Sequence, residues 1–128
     1  MAVLSCLFFM GCTQSRESAV KDMQAELPMD SGDGMTITEC TINGNMLEFV
    51  MQYDESEFSL DDEFTQSLIK MGIEESKDDF IGDEDVKKLL KICKEEDKGM
   101  RMLMVGAKSK ARFVAMEFTP EELQKLSL

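Results

Sequence analysis

The sequence contains no histidine and no tryptophan. Histidine is the usual base in nucleophilic catalysis, so its absence excludes a His-dependent triad and a His-ligated metal site from this chain alone.

Basic residues are also scarce. Fourteen Lys and Arg stand against 26 Asp and Glu, which gives a net charge of −12. Binding to a phosphate backbone needs a basic surface that releases counterions, so we expect no nucleic-acid partner.

Long apolar runs are missing as well. The most apolar stretch, residues 3–10, is too short for a bilayer span, which takes about 20 residues. It fits the apolar core of a secretory signal. Cys12 follows Gly11 directly, and the next residues, 13–17, are polar. This pattern resembles a bacterial lipoprotein signal, in which a peptidase cleaves before the cysteine and the new N-terminal thiol carries diacylglycerol.

The resemblance implies a signal peptide over residues 1–11, a lipidated tether over 12–15 with Cys12 as the acylated residue, and a single domain over 16–128. The domain then lies outside the cytoplasm, anchored in the cell envelope, because several acyl chains hold a protein firmly on a membrane. No Lys or Arg precedes the apolar run, and a true start codon upstream would supply one. The alternative is a buried N-terminal strand or helix in which Cys12 is an ordinary cysteine.

Hydrophobic periodicity predicts an α+β domain. Apolar residues recur at helical spacing in three stretches, and a Thr119-Pro120 start favours a fourth, short helix at the end of the chain. The three stretches are residues 16–27, 60–71 and 83–98. Strand-like runs occupy residues 35–42, 45–53, 100–106 and 112–118, whereas turn formers make 29–34 a loop and charges make 74–82 a linker.

The pairing of the strands follows from their connections. Asn43-Gly44 is a strong hairpin signal, and a two-residue turn there pairs Cys40 with Leu47. A second hairpin joins the last two strands. We therefore expect a four-stranded antiparallel sheet built from two β-hairpins, with the helices packed on one face. The predicted core residues between sheet and helices include Phe49, Leu68, Leu89 and Phe118.

Four short segments carry a resemblance to a group of proteins. FMGC stands at the front, Leu27-Pro28 forms a turn, MTIT begins a strand at Met35, and FTPEEL closes the chain from Phe118. The chain resembles the small Bacteroidetes-type lipoproteins of unknown function. The resemblance implies an envelope location and no particular activity.

Acidic residues are concentrated in the middle of the chain. Residues 54–97 hold 16 Asp and Glu against 6 Lys. Calcium would need several such carboxylates, but no EF-hand loop matches, and a solvated surface is the interpretation we favour. Paired carboxylates also permit acid–base chemistry, although any acidic protein offers such pairs.

Three methionines alternate along one predicted strand: Met100, Met102 and Met104. Thioethers are soft ligands that suit Cu(I), so these residues are the candidate metal site. Methionine also fills hydrophobic cores, and packing beneath the helices is the interpretation we favour. We therefore expect no cofactor.

Two thiols and a basic turn complete the set of candidates. Cys40 and Cys93 lie in apolar patterns, where they either pair, since export permits a disulfide, or pack as free thiols. Lys108, Lys110 and Arg112 surround the second hairpin turn. They would meet lipid phosphates or an acidic partner, or simply keep the turn soluble.

These observations favour a lipid-anchored, non-enzymatic binding or interaction module of the cell envelope. Its expected partners are the membrane, through the N-terminal lipid, and an unknown envelope protein or ligand. The alternative is an envelope enzyme or metal carrier that uses the acidic residues or the methionine-rich strand. A deep pocket with converging polar groups would favour the alternative, whereas an exposed apolar patch would favour the interaction module.

Overall fold

A computed structural model of the chain describes residues 15–32 and 34–128. The helices are α1 (Arg16–Glu26), α2 (Glu63–Glu75), α3 (Lys77–Gly82), α4 (Glu84–Glu95) and α5 (Pro120–Lys125). The strands are β1 (Met29–Gly32), β2 (Met35–Asn43), β3 (Met46–Tyr53), β4 (Gly99–Gly106) and β5 (Arg112–Phe118). Cys12, the predicted signal over 1–11 and nearly all of the predicted tether over 12–15 lie outside the described residues.

The strands form one five-stranded sheet in the order β1-β2-β3-β4-β5. Three of its pairings are antiparallel, but β3 and β4 run parallel, with Met46 opposite Gly99 and Tyr53 opposite Gly106. The α+β class is confirmed, and the predicted four-stranded antiparallel sheet is wrong in strand number and direction. The two hairpins meet in parallel because α2, α3 and α4 return the chain to the end where β3 began, as parallel crossovers require.

Two short elements account for the other differences. The predicted loop at 29–34 contains β1, whose Met29 pairs with Ile37 and whose Asp30 pairs with Thr36. Its sequence, MDSG, has the turn formers of a loop and three exposed residues, so its strand character comes from pairing with β2. The predicted linker at 74–82 contains α3, which places Phe80 and Ile81 against the core.

The first hairpin turn lies one residue beyond its predicted position. Asn43 pairs with Met46, so the turn residues are Gly44 and Asn45, and Cys40 lies opposite Phe49 rather than Leu47. Gly44 has a φ of 63°, as the first central residue of a type II′ turn requires. Moving the turn by one residue shifts the pairing by two, so Cys40 stays on the same face of the sheet as Phe49. A β-bulge between Ile37 and Glu39 reverses the faces of the residues before it, so Met35 and Ile37 pack towards the helices.

The helices pack on one face of the sheet, as predicted. One cluster joins Val20, Leu90 and Leu123 from three helices to Phe49 and Phe118 of the sheet. A second cluster packs Ile69 and Ile73 of α2 against Met51, Tyr53, Leu60, Met104, Phe113 and Ala115. Burial of Phe49 and Phe118 confirms two predicted core residues, and Leu89 is half-buried against the first cluster.

Leu68 is a wrong core prediction, because 52% of it is exposed. In the part of the chain that the structure describes, no helix is both long and apolar enough to cross a membrane.

Candidate functional site

Helix α2 has two apolar faces that point in opposite directions. Ile69 and Ile73 face the sheet and pack against the second cluster. At about 100° per residue, Phe64, Leu68 and Met71 fall on the opposite side of the helix. They are 70%, 52% and 60% exposed. We call Phe64, Leu68 and Met71 the outer stripe. The sequence predicts burial of Leu68, because the spacing of the outer stripe fits a helix as well as that of the two isoleucines does.

The outer stripe is held in place by the chain just before it. Leu60 is fully buried, and its carbonyl oxygen accepts a hydrogen bond of 2.6 Å from the side-chain amide of Gln66. Asp62 caps the helix, since its Oδ2 accepts from the backbone N–H of Thr65 at 3.0 Å. These contacts fix the first turn of α2, where Phe64 begins the outward-facing stripe.

Glu55 connects this region to the far hairpin. Its carboxylate accepts backbone N–H bonds from Leu60 at 2.7 Å and from Lys108 and Ser109 at 2.6 Å each. Hydrogen bonds from Leu60 and Ser109 lower the pKa of Glu55 to about 2. Gly106 leaves room for this carboxylate, because a Cβ there would lie 2.6 Å from it. Glu55 is therefore a buried residue that links the segment before α2 to the β4–β5 turn, and it does not belong to a solvated acidic surface.

The other face of the sheet carries an ion-pair network across three strands. Arg101 on β4 contacts Glu48 on β3 at 2.7 Å and Glu117 on β5 at 2.8 Å. Both carboxylates raise the pKa of Arg101, so its guanidinium stays charged. The β3–β4 and β4–β5 registers place the three residues side by side. The network links three neighbouring strands. Because Arg101 is paired with Glu48 and Glu117, its charge is already compensated within the domain.

The methionines of β4 lie on the helix-facing side of the sheet. Met100 and Met104 are each 2% exposed and belong to different clusters, while the half-buried Met102 packs against both. This placement favours the interpretation that Met100, Met102 and Met104 fill the core. That they bind no Cu(I) stays a prediction.

Cys40 and Cys93 are free thiols in the same hydrophobic cluster, and both are buried. Burial raises the pKa of each thiol to about 11, so both remain protonated and unreactive at neutral pH. Of the two alternatives, the structure has the thiols packed as small hydrophobic side chains.

The remaining charged candidates do not converge. Lys108, Lys110 and Arg112 are exposed around the β4–β5 turn, and the Lys110 ammonium donates to the carbonyl of Ala107 at 2.8 Å. Within the described ranges, no group of three His, Cys, Asp or Glu side chains is arranged to hold a metal ion.

Two surface clefts have volumes of about 340 and 510 Å³ and open widely to solvent. The first is lined in part by Gln24, Thr38 and Glu39, and the second by Asp97, Glu121 and Lys125. Their lining side chains are mainly exposed. Neither cleft has the enclosed apolar shape with converging polar groups that is typical of small-molecule sites.

Three solved structures share this fold. One is the pilotin EpsS of the Vibrio vulnificus type 2 secretion system, at 14% identity over 87% of this chain and 90% of that one, with a TM-score of 0.55. Another is the type II secretion pilotin AspS of Vibrio cholerae, at 17% identity over 84% and 87%, with a TM-score of 0.50. The third, described as a secreted protein of Pseudomonas aeruginosa, has 14% identity over 85% and 89% and a TM-score of 0.60.

No family model matches the chain, and no curated protein matches it either. At these identities the likeness establishes the fold. The resemblance to Bacteroidetes-type lipoproteins is wrong, since the structural neighbours come from Vibrio and Pseudomonas and two of them are secretion pilotins. Segments such as FTPEEL misled because a capping box of this kind starts many unrelated helices. The prediction of a non-enzymatic protein agrees with the two neighbours that are described as pilotins.

Proposed function

We propose that the protein is a lipid-anchored, non-enzymatic adaptor of the cell envelope that docks a partner protein on the outer stripe. The observation that carries this proposal is the exposure of Phe64, Leu68 and Met71 on a helix whose other face is already packed. Contiguous exposed apolar side chains are typical of protein interaction sites. A rotation of α2 that buried these three side chains would expose Ile69 and Ile73, which already pack against the sheet.

The fold supports an accessory role in an envelope assembly. Two structural neighbours are pilotins of type II secretion systems, and they match most of this chain's length. We extend that role to this protein, so its partner would be a component of a secretion-type assembly. Binding, and not catalysis, is then its whole contribution.

Membrane attachment through Cys12 is the second part of the proposal. The full-length chain is expressed with labelled palmitate, and incorporation and membrane fractionation are measured. Wild type and Cys6→Ser should both be labelled and sediment with membranes, because Cys6 lies within the predicted signal. Cys12→Ser should lose the label and the sedimentation. A Cys12→Ser protein that is still labelled and membrane-bound would refute the anchor.

Docking on the outer stripe is tested by site-specific photo-crosslinking in cells. A photoreactive side chain replaces Leu68, and a matched control replaces Val114, which is 39% exposed on the other face of the sheet. We expect the Leu68 position to give one discrete adduct with an envelope-assembly component, identified by mass spectrometry, and the Val114 position to give none. Equal adducts at both positions, or adducts with a metabolic enzyme only, would contradict the proposal.

A further inference from the structure

The charge around the outer stripe is strongly one-sided. Residues 54–83 contain 11 Asp and Glu and only two lysines, Lys70 and Lys77. Asp61, Asp62 and Glu63 stand at the start of α2, and Glu74 and Glu75 stand at its end; all five are exposed. Glu75 lies one turn beyond Met71, so a carboxylate continues the line of the outer stripe. Acids therefore border the apolar surface at both ends.

Of the five border acids, the two lysines pair with Glu74 alone. The Lys70 ammonium lies 5.7 Å from the centre of the Phe113 ring, a cation–π contact towards the sheet. The Lys77 ammonium lies 4.6 Å from the Phe118 ring centre, 3.7 Å from Glu74 and 4.0 Å from Glu122. Both cations are thus held against the body of the domain, and Glu63 and Glu75 keep their charge beside the outer stripe.

We propose that the outer stripe recognises a basic amphipathic segment of another protein, in which an apolar ridge packs on Phe64, Leu68 and Met71 and flanking Lys or Arg side chains meet the acids at the two ends. This inference rests on the proposed function, because it specifies the chemistry of the partner that docks on the same surface. Opposite charges at the rim favour the correct partner and speed its association.

The charge distribution disfavours the other occupants. A second copy of the chain would bring the same acids to the same interface, so the two copies would repel each other. An anionic lipid surface would repel them as well, since negative leaflets attract basic rather than acidic segments.

The test uses the full chain in phosphatidylcholine vesicles, with protein-free vesicles as the blank. The probe is a synthetic helical peptide with leucines at positions i, i+4 and i+7 and lysines on both sides. Two comparison peptides have glutamate for every lysine or serine for every leucine. Binding is measured by fluorescence anisotropy. We expect the lysine peptide to bind about tenfold or more tightly than either comparison peptide, and to weaken as NaCl rises from about 0.05 to 0.5 M.

Variants locate the binding. Phe64→Ser and Leu68→Ser should each weaken the lysine peptide by about tenfold, whereas Val114→Ser should leave it unchanged. The double variant Glu63→Gln/Glu75→Gln should lower affinity severalfold and flatten the salt dependence. Its matched control, Glu39→Gln/Glu121→Gln, removes the same charge from exposed positions elsewhere and should do neither.

Three results would overturn the inference. Equal binding of the lysine and glutamate peptides would remove the charge selectivity, and unchanged binding by the stripe variants would remove the site. A concentration-dependent dimer that Leu68→Ser dissociates would assign the stripe to a second copy. The proposed function fails separately, if the Leu68 and Val114 positions give equal photo-adducts. A discrete Leu68 adduct together with either of the first two results would uphold docking and overturn this inference alone.

Discussion

Glu55 has the most constrained backbone and side chain around the outer stripe. Its φ is 59°, a left-handed value that a non-glycine residue adopts at some cost. That conformation turns its carboxylate towards three backbone N–H groups, two of which lie more than 50 residues further along the chain. The hydrogen bonds offset the backbone cost and fix the segment that leads into α2. The run DESE does not predict this role, because its three acids look equivalent in the sequence and differ only in their burial and hydrogen bonds.

Replacing Glu55 by Gln should lower the denaturant midpoint, since a carboxylate that accepts three N–H bonds is exchanged for a neutral amide with one acceptor oxygen. The pKa of Glu55 is about 2 when folded, against 4.5 ordinarily. A lowered folded pKa adds stability above about 4.5, and this stability is lost as the pH falls towards 2. The deficit of Glu55→Gln should therefore be full at neutral pH and shrink in acid. Glu57→Gln, at an exposed position two residues away, should change neither the denaturant midpoint nor its dependence on pH. A deficit independent of pH would contradict the role of the charge.

At the scale of elements, the strands paired within hairpins, α1, α4 and the capped α5 were predictable from the sequence. Their signals are local: Asp83 caps α4, and Thr119 and Glu122 form a capping box on α5. The edge strand β1 was not predictable, because its sequence consists largely of turn formers. The parallel β3–β4 pair was not predictable either, because it joins segments far apart in the chain. The orientation of α2 was ambiguous for another reason: its sequence offers two apolar stripes, and only the position of the sheet decides which is buried.

Truncation variants distinguish the two faces of the helical layer. Leu90→Ala removes a fully buried side chain of α4 and should cost about 2–5 kcal/mol of unfolding free energy. Leu68→Ala removes a side chain that is 52% exposed and should stay within about 0.5 kcal/mol of wild type. Urea denaturation measures both. A large loss for Leu68→Ala would mean that the outer stripe is buried in the folded monomer.

Gly72 lies inside α2, where nothing in the packing requires a glycine. A Cβ built at this position meets nothing within 4 Å, and alanine favours a helix interior over glycine by about 1 kcal/mol. Gly72→Ala should therefore raise the melting temperature. Gly106→Ala is the contrasting variant, because its Cβ would lie 2.6 Å from the Glu55 carboxylate, and it should lower the melting temperature. If Gly72→Ala were the destabilising change, the path of α2 would need revision.

At the scale of the whole molecule, the helical layer packs on the sheet with its inner side, whereas the proposed docking surface lies on its outer side. The central strands β3 and β4 join the two hairpins and contribute to both hydrophobic clusters, whereas α1, α4 and α5 contribute buried residues to the first cluster. Helix α2 contains no fully buried residue. The helix that carries the proposed docking surface thus packs on the core through two half-buried isoleucines only, and its outward face stays available for a partner.

Native-state hydrogen exchange should reveal this division. Amides of β3 and β4 are bonded on both sides within the sheet, so they should exchange slowest, at rates set by global unfolding. Amides of β1, a four-residue edge strand, and of α2 should exchange faster through local opening, because few buried contacts hold them. Adding the lysine peptide should slow α2 selectively, since a bound partner stabilises the closed form, and should leave β1 unchanged. If the amides of α2 were protected as strongly as those of β3 in the free protein, α2 would be part of the most stable core. If the peptide slowed exchange in β1 as well as in α2, it would not bind at the outer stripe alone.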